Sequence, residues 1–274
     1  MRFYEDEGKR LLASCGIPVA RGGTAKTPEE AERIVIEIGG PVVLKSQVLS
    51  GGRMKAGGVK FAATPEEARK AAAEILERPI NGQMPRGVLV EVRAPVVREY
   101  YVGVIYDALT KLPAVIASDM GGIDIEEVAE THPDHVKKIH LPTLVPFFEF
   151  RLKQLLRSLG IGGAELTALS RIAGNLVRAF SRYGLSLAEI NPLALLENGS
   201  FVALDCHLDM EEDARDGQAA ILAQLGIGKE ETRQARPPTE FEIRGAQIDA
   251  QDHRGVAGRV VEFDGNLGLI IGAG

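Results

Sequence analysis

The chain has 274 residues, of which 45% are hydrophobic and 26% are charged, and this composition predicts a globular protein with a sizeable core. A formal net charge of −6 argues against a nucleic-acid partner. No apolar run reaches the roughly 18 residues of a membrane helix, and the charged N-terminus lacks a signal-peptide core, so we expect no membrane contact and a cytoplasmic location. Cys15 and Cys206 form no CxxC pattern and predict neither a disulfide framework nor a zinc site.

The first predicted element is an N-terminal helix, which Gly16 and Pro18 end. Two further helices begin with the same residues, Thr-Pro-Glu-Glu, at 27–30 and 64–67. In each, the threonine can cap, the proline suits the first turn and the second glutamate completes a capping box. The strands around these helices are predicted at 41–45, 58–62 and 88–92.

The second half of the chain continues to mix strands and helices. Two strands flank a turn near Asp107, two apolar-striped helices end at Gly160 and Gly184, and a hairpin turns about Asn198-Gly199. The predicted strands are 98–106, 112–118, 186–196 and 200–206. A linker at 235–238 precedes an apolar strand at 260–271, where the sequence stops, so we expect a fragment or one part of a split gene.

The strongest local signal is the glycine-rich loop Gly51–Val59 between two predicted strands. Glycines let backbone N–H groups approach a phosphate, and Arg53 and Lys55 offset its charge. The loop is not a Walker A motif, because the GK[ST] ending and the following helix are missing. Lys45, at the end of the preceding strand, is a candidate contact for the α- or β-phosphate. The alternative is a flexible hairpin loop beside a solvated lysine.

Polar side chains at other strand ends are candidate ligands. Glu91 ends an apolar strand and Glu99 follows a bend at Pro95, where a base or ribose would need acceptors. Asn191 and Asp205 lie on the two strands of the hairpin, and such oxygen ligands suit Mg²⁺, which leaves its other positions to phosphate and water. Each of these residues could also be an ordinary polar residue at the surface or at the end of a strand.

The hairpin register decides whether Asn191 and Asp205 can share a cation. A two-residue Asn198-Gly199 turn would place them on opposite faces of the sheet. A three-residue loop with a left-handed Gly199 would place them directly opposite each other, with Cβ atoms about 4.5–5.5 Å apart. Since a shared cation requires the second register, we predict it against the local preference of Asn-Gly.

The motifs follow one another as VLK, GGRxKAGGV, LVE, RE before an aromatic strand, GGxxIEExAE, EINPL and LD. This order resembles the ATP-grasp region of succinyl-CoA synthetase β subunits. The resemblance implies an α+β ATP-grasp fold, in which two α+β subdomains clamp a nucleotide. The implied lid subdomain is 19–95, the larger subdomain is 1–18 with 96–235, and 236–274 is a linker with the incomplete start of an α/β CoA-ligase domain.

The resemblance also implies an enzyme, an ADP- or GDP-forming acid–CoA ligase of the tricarboxylic acid cycle. In that family Mg²⁺ with ATP or GTP phosphorylates a histidine on a partner α subunit, which also carries the CoA site. The phosphoryl group then passes to a small carboxylic acid, and CoA displaces phosphate. None of the five histidines of this chain is needed for that step.

Residue roles follow from the same resemblance. Phosphate contacts are expected from Lys45, Gly52, Arg53 and Met54, base and ribose contacts from Glu91, Ala94 and Glu99, magnesium ligation from Asn191 and Asp205, and contact with the partner's phosphohistidine loop from Glu189. Such a site works by positioning and by charge neutralisation. Replacing Lys45 is expected to weaken ATP binding and to leave the core intact.

Three departures from the family pattern limit the prediction. Cys206-His207 replaces Gly-Lys of LDGKL, Met54 replaces a common loop glycine, and Gly272 stands where succinate enzymes have an asparagine that helps hold the acid. The acid is predicted as succinate, with citrate or malate as alternatives. Two other functions stay open: an ATP-grasp carboxylate–amine ligase or carboxylase, and a non-catalytic nucleotide-binding module.

Overall fold

The computed structural model describes residues 1–142, 147–228, 231, 233, 238–251, 260–262, 265 and 268. The chain divides into two units, Met1–Ala235 and Arg236–Gly274. The predicted linker and the predicted strand at 260–271 fall largely outside the described residues. The described part of the second unit contains one helix, α8 (Glu240–Gln251), which the sequence patterns did not predict.

The first unit mixes helices and strands along its whole length. Its strands are β1 (Gly22–Ala25), β2 (Val42–Ser46), β3 (Val59–Ala62), β4 (Val88–Val92), β5 (Val96–Tyr106), β6 (Pro113–Ser118), β7 (Val136–His140), β8 (Leu185–Leu196), β9 (Phe201–Ala203) and β10 (Cys206–Met210). Its helices are α1 (Glu5–Ser14), α2 (Pro28–Ile38), α3 (Pro65–Leu76), α4 (Ile125–Thr131), α5 (Phe150–Arg157), α6 (Gly163–Arg182) and α7 (Ala219–Leu225). No helix among the described residues combines the length and apolar character needed to cross a bilayer.

The smaller sheet has four antiparallel strands in the order β1-β4-β2-β3. Helices α2 and α3 cover this sheet with small apolar side chains. The two threonines cap these helices as predicted: the side-chain oxygens of Thr27 and Thr64 each accept a hydrogen bond of 3.2 Å from the backbone N–H three residues later. Each glutamate carboxylate bonds back to the N–H just before the threonine rather than to that of the threonine itself. The predicted capping chemistry is therefore present in a slightly shifted form.

Strand β1 approaches β4 so closely that position 22 has no room for a side chain. A Cβ on Gly22 would overlap the carbonyl oxygen of Val90 and lie 2.8 Å from Cα of Glu91. We expect Gly22→Ala to lower the free energy of unfolding by about 1–3 kcal/mol, the usual range for overpacking. Urea denaturation measures this, and Gly40→Ala is the control because nothing lies within 4 Å of its Cβ. Equal denaturation midpoints for the two variants would contradict the prediction.

The larger sheet has six strands, in the order β10-β8-β5-β6-β7 with β9 also paired to β8. Helices α5 and α6 pack against it and bury an apolar stripe each, including Leu152, Leu156, Leu176 and Phe180. The N-terminal segment belongs to the same core, because Leu11 and Leu12 of α1 are fully buried in it. A second core of short apolar side chains lies between the smaller sheet and its helices.

The hairpin adopts the predicted register. The backbone N–H of Leu196 donates to the carbonyl of Ser200 at 2.8 Å, and Gly199 has a left-handed φ of 78°. Further along, the N–H of Asn191 donates to the carbonyl of Asp205 at 3.1 Å. The prediction that Asn191 lies opposite Asp205 is therefore confirmed, and both side chains point to one face of the sheet.

Candidate functional site

Charged side chains from both sheets and from α1 meet in a buried group, which we call the charge cluster. Its members are Glu5, Lys9, Lys45, Arg53, Glu91 and Asp205. The side chains of Glu5, Lys9 and Glu91 are at most 4% exposed, those of Lys45 and Arg53 about 10%, and that of Asp205 38%. The cluster thus has a deep side on α1 and a solvent side at Asp205.

Lys45 is held by two carboxylates and one backbone carbonyl. Its Nζ lies 2.9 Å from Glu5 Oε1 and 3.0 Å from Glu91 Oε2, and it donates to the carbonyl oxygen of Leu204. Burial alone would lower the pKa of Lys45, but the neighbouring carboxylates outweigh burial and raise the pKa. The alternative interpretation of Lys45 as a solvated lysine is wrong, because α1 covers this end of β2.

Arg53 is held equally firmly and points inward from the glycine-rich loop. Its Nη1 lies 2.7 Å from Glu5 Oε2 and donates to the carbonyl of Ser46 at 3.0 Å, while Nη2 donates to both carboxylate oxygens of Asp205 at 2.8 Å. Hydrogen bonds between charged partners are stronger than those between neutral groups. The loop is therefore tied to both the N-terminal helix and the hairpin.

Several other loop residues are exposed, although Gly58 is buried. Gly52 is exposed, and Met54 is 67% exposed. The loop closes on itself where the N–H of Gly58 donates to the carbonyl of Arg53 at 2.7 Å. The four predicted phosphate contacts thus fall into an exposed pair, Gly52 and Met54, and a buried pair, Lys45 and Arg53.

Glu5 and Lys9 are the members that sequence reasoning missed. Burial raises the pKa of the Glu5 carboxyl, but Arg53, Lys45 and Lys9 outweigh it and hold the pKa well below its ordinary value. Both residues belong to α1, where Glu5, Lys9 and Leu12 share one helix face. Charged residues on an otherwise apolar face were the available signal.

Glu91 lies on the deep side of the cluster rather than in an open pocket. Both of its oxygens accept from Lys9, at 2.5 and 2.6 Å, and its Oε2 also contacts Lys45. A carboxylate in this position has little capacity left for a base or a ribose. The predicted nucleotide contact of Glu91 would require one of these ammonium groups to move.

Ala94 and Glu99 lie near the connection between the two sheets. Ala94 stands between β4 and β5 and is partly exposed. Glu99, in β5, is partly buried, and burial raises the pKa of its carboxyl. Its carboxylate lies against Gly122, whose backbone N–H donates to Asn191 Oδ1 at 2.8 Å. The structure therefore brings Glu99 close to the predicted magnesium ligands.

Asn191 and Asp205 are aligned but hold other partners. Asn191 accepts from Gly122 and donates to the carbonyl of Ile123 at 2.9 Å, whereas Asp205 holds Arg53. Within the described ranges, no three His, Cys, Asp or Glu side chains converge as a metal cage. An amide oxygen and a carboxylate on one sheet face fit Mg²⁺ if phosphate and water supply the remaining ligands.

Glu189 lies on the same face, two residues before Asn191. Tyr101 Oη donates to its Oε2 at 3.3 Å. Burial raises the pKa of the Glu189 carboxyl, and the charge of Asp205 adds to the rise, although the Tyr101 hydrogen bond opposes it. Glu189, Asn191 and Asp205 therefore form one polar surface beside the charge cluster.

The residues that replace Gly-Lys in the hairpin do not restore a positive charge. Cys206 is buried, and burial raises the pKa of its thiol. His207 pairs with Glu189 across the strands. Its burial and the nearby Arg2 lower the pKa of its imidazole, which favours the neutral form of His207. The cation that the family pattern places here is absent from this chain.

Comparison with known proteins places these observations in a family. A model of the ATP-grasp domain matches residues 2–195. The succinate–CoA ligase [ADP-forming] subunit beta of Chloroflexus aurantiacus is 39% identical across 100% of this chain and 68% of that protein. The succinate–CoA ligase [GDP-forming] subunit beta of Thermus thermophilus is 37% identical across 98% of this chain and 67% of that protein.

A solved structure supports the same fold. It is the dinucleotide forming acetyl-coenzyme A synthetase 1 of Ca. Korarchaeum cryptofilum, in complex with coenzyme A, acetyl-coenzyme A and a phosphorylated phosphohistidine segment. It is 25% identical, has a TM-score of 0.61, and covers 77% of this chain and 93% of that chain. The predicted ATP-grasp fold and family are confirmed: this chain belongs to the ATP-grasp family and, within it, to the succinate–CoA ligase β subunits.

Proposed function

We propose that this chain binds a Mg²⁺–nucleoside triphosphate between its two sheets and transfers the terminal phosphoryl group to a histidine of a partner α subunit. The proposal assigns 19–95 to a lid and 1–18 with 96–235 to the larger subdomain. The observation that carries it is the alignment of Asn191 with Asp205 beside two buried cations, Lys45 and Arg53. Phosphate oxygens and a divalent cation need this combination of donors and acceptors.

The chain's own residues supply positioning and charge. Lys45 and Arg53 neutralise phosphate oxygens, and Gly52 and Met54 cover them from the exposed side of the loop. Mg²⁺, when bound, offsets further charge on the transferred group. Glu189 borders this site and faces the incoming histidine, while Ala94 and Glu99 border the base and ribose. Glu91 joins them if Lys9 releases its carboxylate. In a site of this kind, placement of the reactants provides most of the rate.

The acid and the nucleotide are assigned from the relatives. Both relatives named above are succinate–CoA ligase subunits, one ADP-forming and one GDP-forming. We therefore propose succinate as the acid, with citrate or malate as alternatives, and either ATP or GTP as donor. CoA and the phosphorylated histidine are assigned to the α subunit in the complete enzyme. Gly272, the position that bears on the acid, lies outside the described residues.

The test is a phosphotransfer assay with radiolabelled γ-phosphate. We expect the chain with a cognate α subunit to label a histidine on α, giving an acid-labile and base-stable product, and the chain alone to label nothing. Glu189→Gln should retain nucleotide binding and lose the label. Nucleotide hydrolysis coupled to an amine acceptor, with no labelled histidine, would instead indicate a carboxylate–amine ligase.

A further inference from the structure

We propose that Glu5 of α1 is a positioning residue for nucleotide binding: from the buried side of the charge cluster, it fixes the placement of Lys45 and Arg53. The inference rests on the proposed function, since it concerns the same phosphate site. Glu5 contacts both cations, through Oε1 to Lys45 at 2.9 Å and through Oε2 to Arg53 at 2.7 Å. It thereby links β2 to the glycine-rich loop from a helix outside the smaller sheet.

Arg53 contacts two carboxylates, Glu5 and Asp205, and these differ in how deeply they are buried. The Glu5 side chain is 2% exposed, whereas that of Asp205 is 38% exposed. A phosphate that enters from solvent meets Asp205 first and reaches Glu5 last. We therefore expect Asp205 to release Arg53 when phosphate binds, whereas Glu5 keeps its contacts with Lys45 and Arg53 on the buried side.

The contacts of Lys45 support the same division. Its ammonium group donates to Glu5 and to the carbonyl of Leu204 and forms an ion pair with Glu91, so we expect a bound phosphate to displace one of these three partners. Leu204 precedes Asp205, and both move together if the hairpin edge shifts. The bonds to Glu5 and Glu91 can then persist, and a cation held by fixed partners loses less freedom on binding.

The two possible roles of Glu5, positioning the cations and competing with phosphate for them, predict opposite changes in nucleotide affinity when the charge of Glu5 is removed. If Glu5 competed with phosphate for the cations, removing its charge would strengthen nucleotide binding. If Glu5 positions the cations, removing its charge weakens binding, and the loss grows with the number of phosphates on the ligand. A purely structural Glu5 would affect stability but not this dependence on phosphate number.

The test is Glu5→Gln, with ATP, ADP and AMP titrated calorimetrically in the presence of Mg²⁺ into the intact chain. The matched control is Glu7→Gln on the same helix. Glu7 is 1% exposed and also lies between two cations, Arg86 at 2.8 Å and Arg233 at 2.9 Å, neither of which is assigned to phosphate. We expect Glu5→Gln to weaken ATP and ADP binding about tenfold or more and AMP binding much less. Glu7→Gln should leave all three affinities close to wild type.

Two further variants keep the test decisive if Glu5→Gln folds poorly. Glu5→Asp keeps the charge and shortens the side chain, so it should also weaken ATP binding if placement matters. The double variant with Lys9→Gln restores charge balance in the cluster and should still show the phosphate-dependent loss. Tighter ATP binding by Glu5→Gln, or equal effects of Glu5→Gln and Glu7→Gln, would overturn the inference. Failure of the wild-type chain to bind any of the three nucleotides would instead overturn the proposed function.

Discussion

Replacing Lys45 with methionine is expected to remove phosphate-dependent nucleotide binding and to lower the free energy of unfolding by about 3–5 kcal/mol. The stability loss follows from burial: methionine keeps the aliphatic length but leaves Glu5 and Glu91 with one ammonium fewer. This revises the sequence-based expectation that the core would be unaffected. Denaturation and calorimetric titration with ATP and adenosine measure the two effects separately.

Lys9→Met is the control for the Lys45 variant. Lys9 is similarly buried and contacts the same two carboxylates, but it lies on the deep side of the cluster. We expect a comparable loss of stability and a preserved difference between ATP and adenosine binding. If both variants lose that difference equally, Lys45 has no specific role toward phosphate.

Asp205→Asn is expected to weaken Mg²⁺-dependent ATP binding by about a hundredfold or more, because changing even the partners of metal ligands weakens metal binding by about 10- to 100-fold. Binding of ATP without the metal should be unchanged or stronger, since the variant also frees Arg53. A loss of ATP affinity in the presence of Mg²⁺, without a loss in its absence, would distinguish a missing metal ligand from a general disruption of the site. ATP titrations with Mg²⁺ and with a chelator provide the measurement.

Asp209→Asn serves as the matched control for this experiment. Asp209 also binds an arginine through both oxygens, with Arg2 at 3.3 and 3.1 Å, but it lies four residues further along. It is expected to leave the Mg²⁺ dependence unchanged. A wild-type Mg²⁺ requirement in Asp205→Asn would remove Asp205 from the proposed metal site.

The sequence predicted most of the smaller sheet because its signals are local. Three of its four strands fall within one residue of their predicted ends, and both Thr-Pro-Glu-Glu caps start helices. Strand β1 was missed because Gly22-Gly23 has low strand propensity and the strand exists through pairing with β4. Strand β7 was missed because VKKIH, at the edge of the larger sheet, carries charge typical of edge strands.

The candidate site was predicted unevenly for a comparable reason. The hairpin register was predicted because a shared cation requires Asn191 to lie opposite Asp205, and the structure confirms that register. The burial of Lys45 could not be deduced, because it depends on α1, which lies distant in sequence and adjacent in space. Contacts between residues far apart in sequence are determined by tertiary packing. Sequence patterns, in contrast, give information only on residues within the same helix or strand. The assigned roles of the site residues stay predictions.

The charge cluster also bears on whether the two sheets could be separated into independent polypeptides. The cluster residues that belong to the smaller sheet and its glycine-rich loop are Lys45, Arg53 and Glu91, and their formal charges sum to +1. The remaining cluster residues are Glu5, Lys9 and Asp205, and their formal charges sum to −1. An excised segment of either kind would lack the counter-ions that the other supplies. Each segment alone would therefore carry an unbalanced charge at this position, and we expect reassociation of the two to be favoured by charge complementarity and weakened by salt.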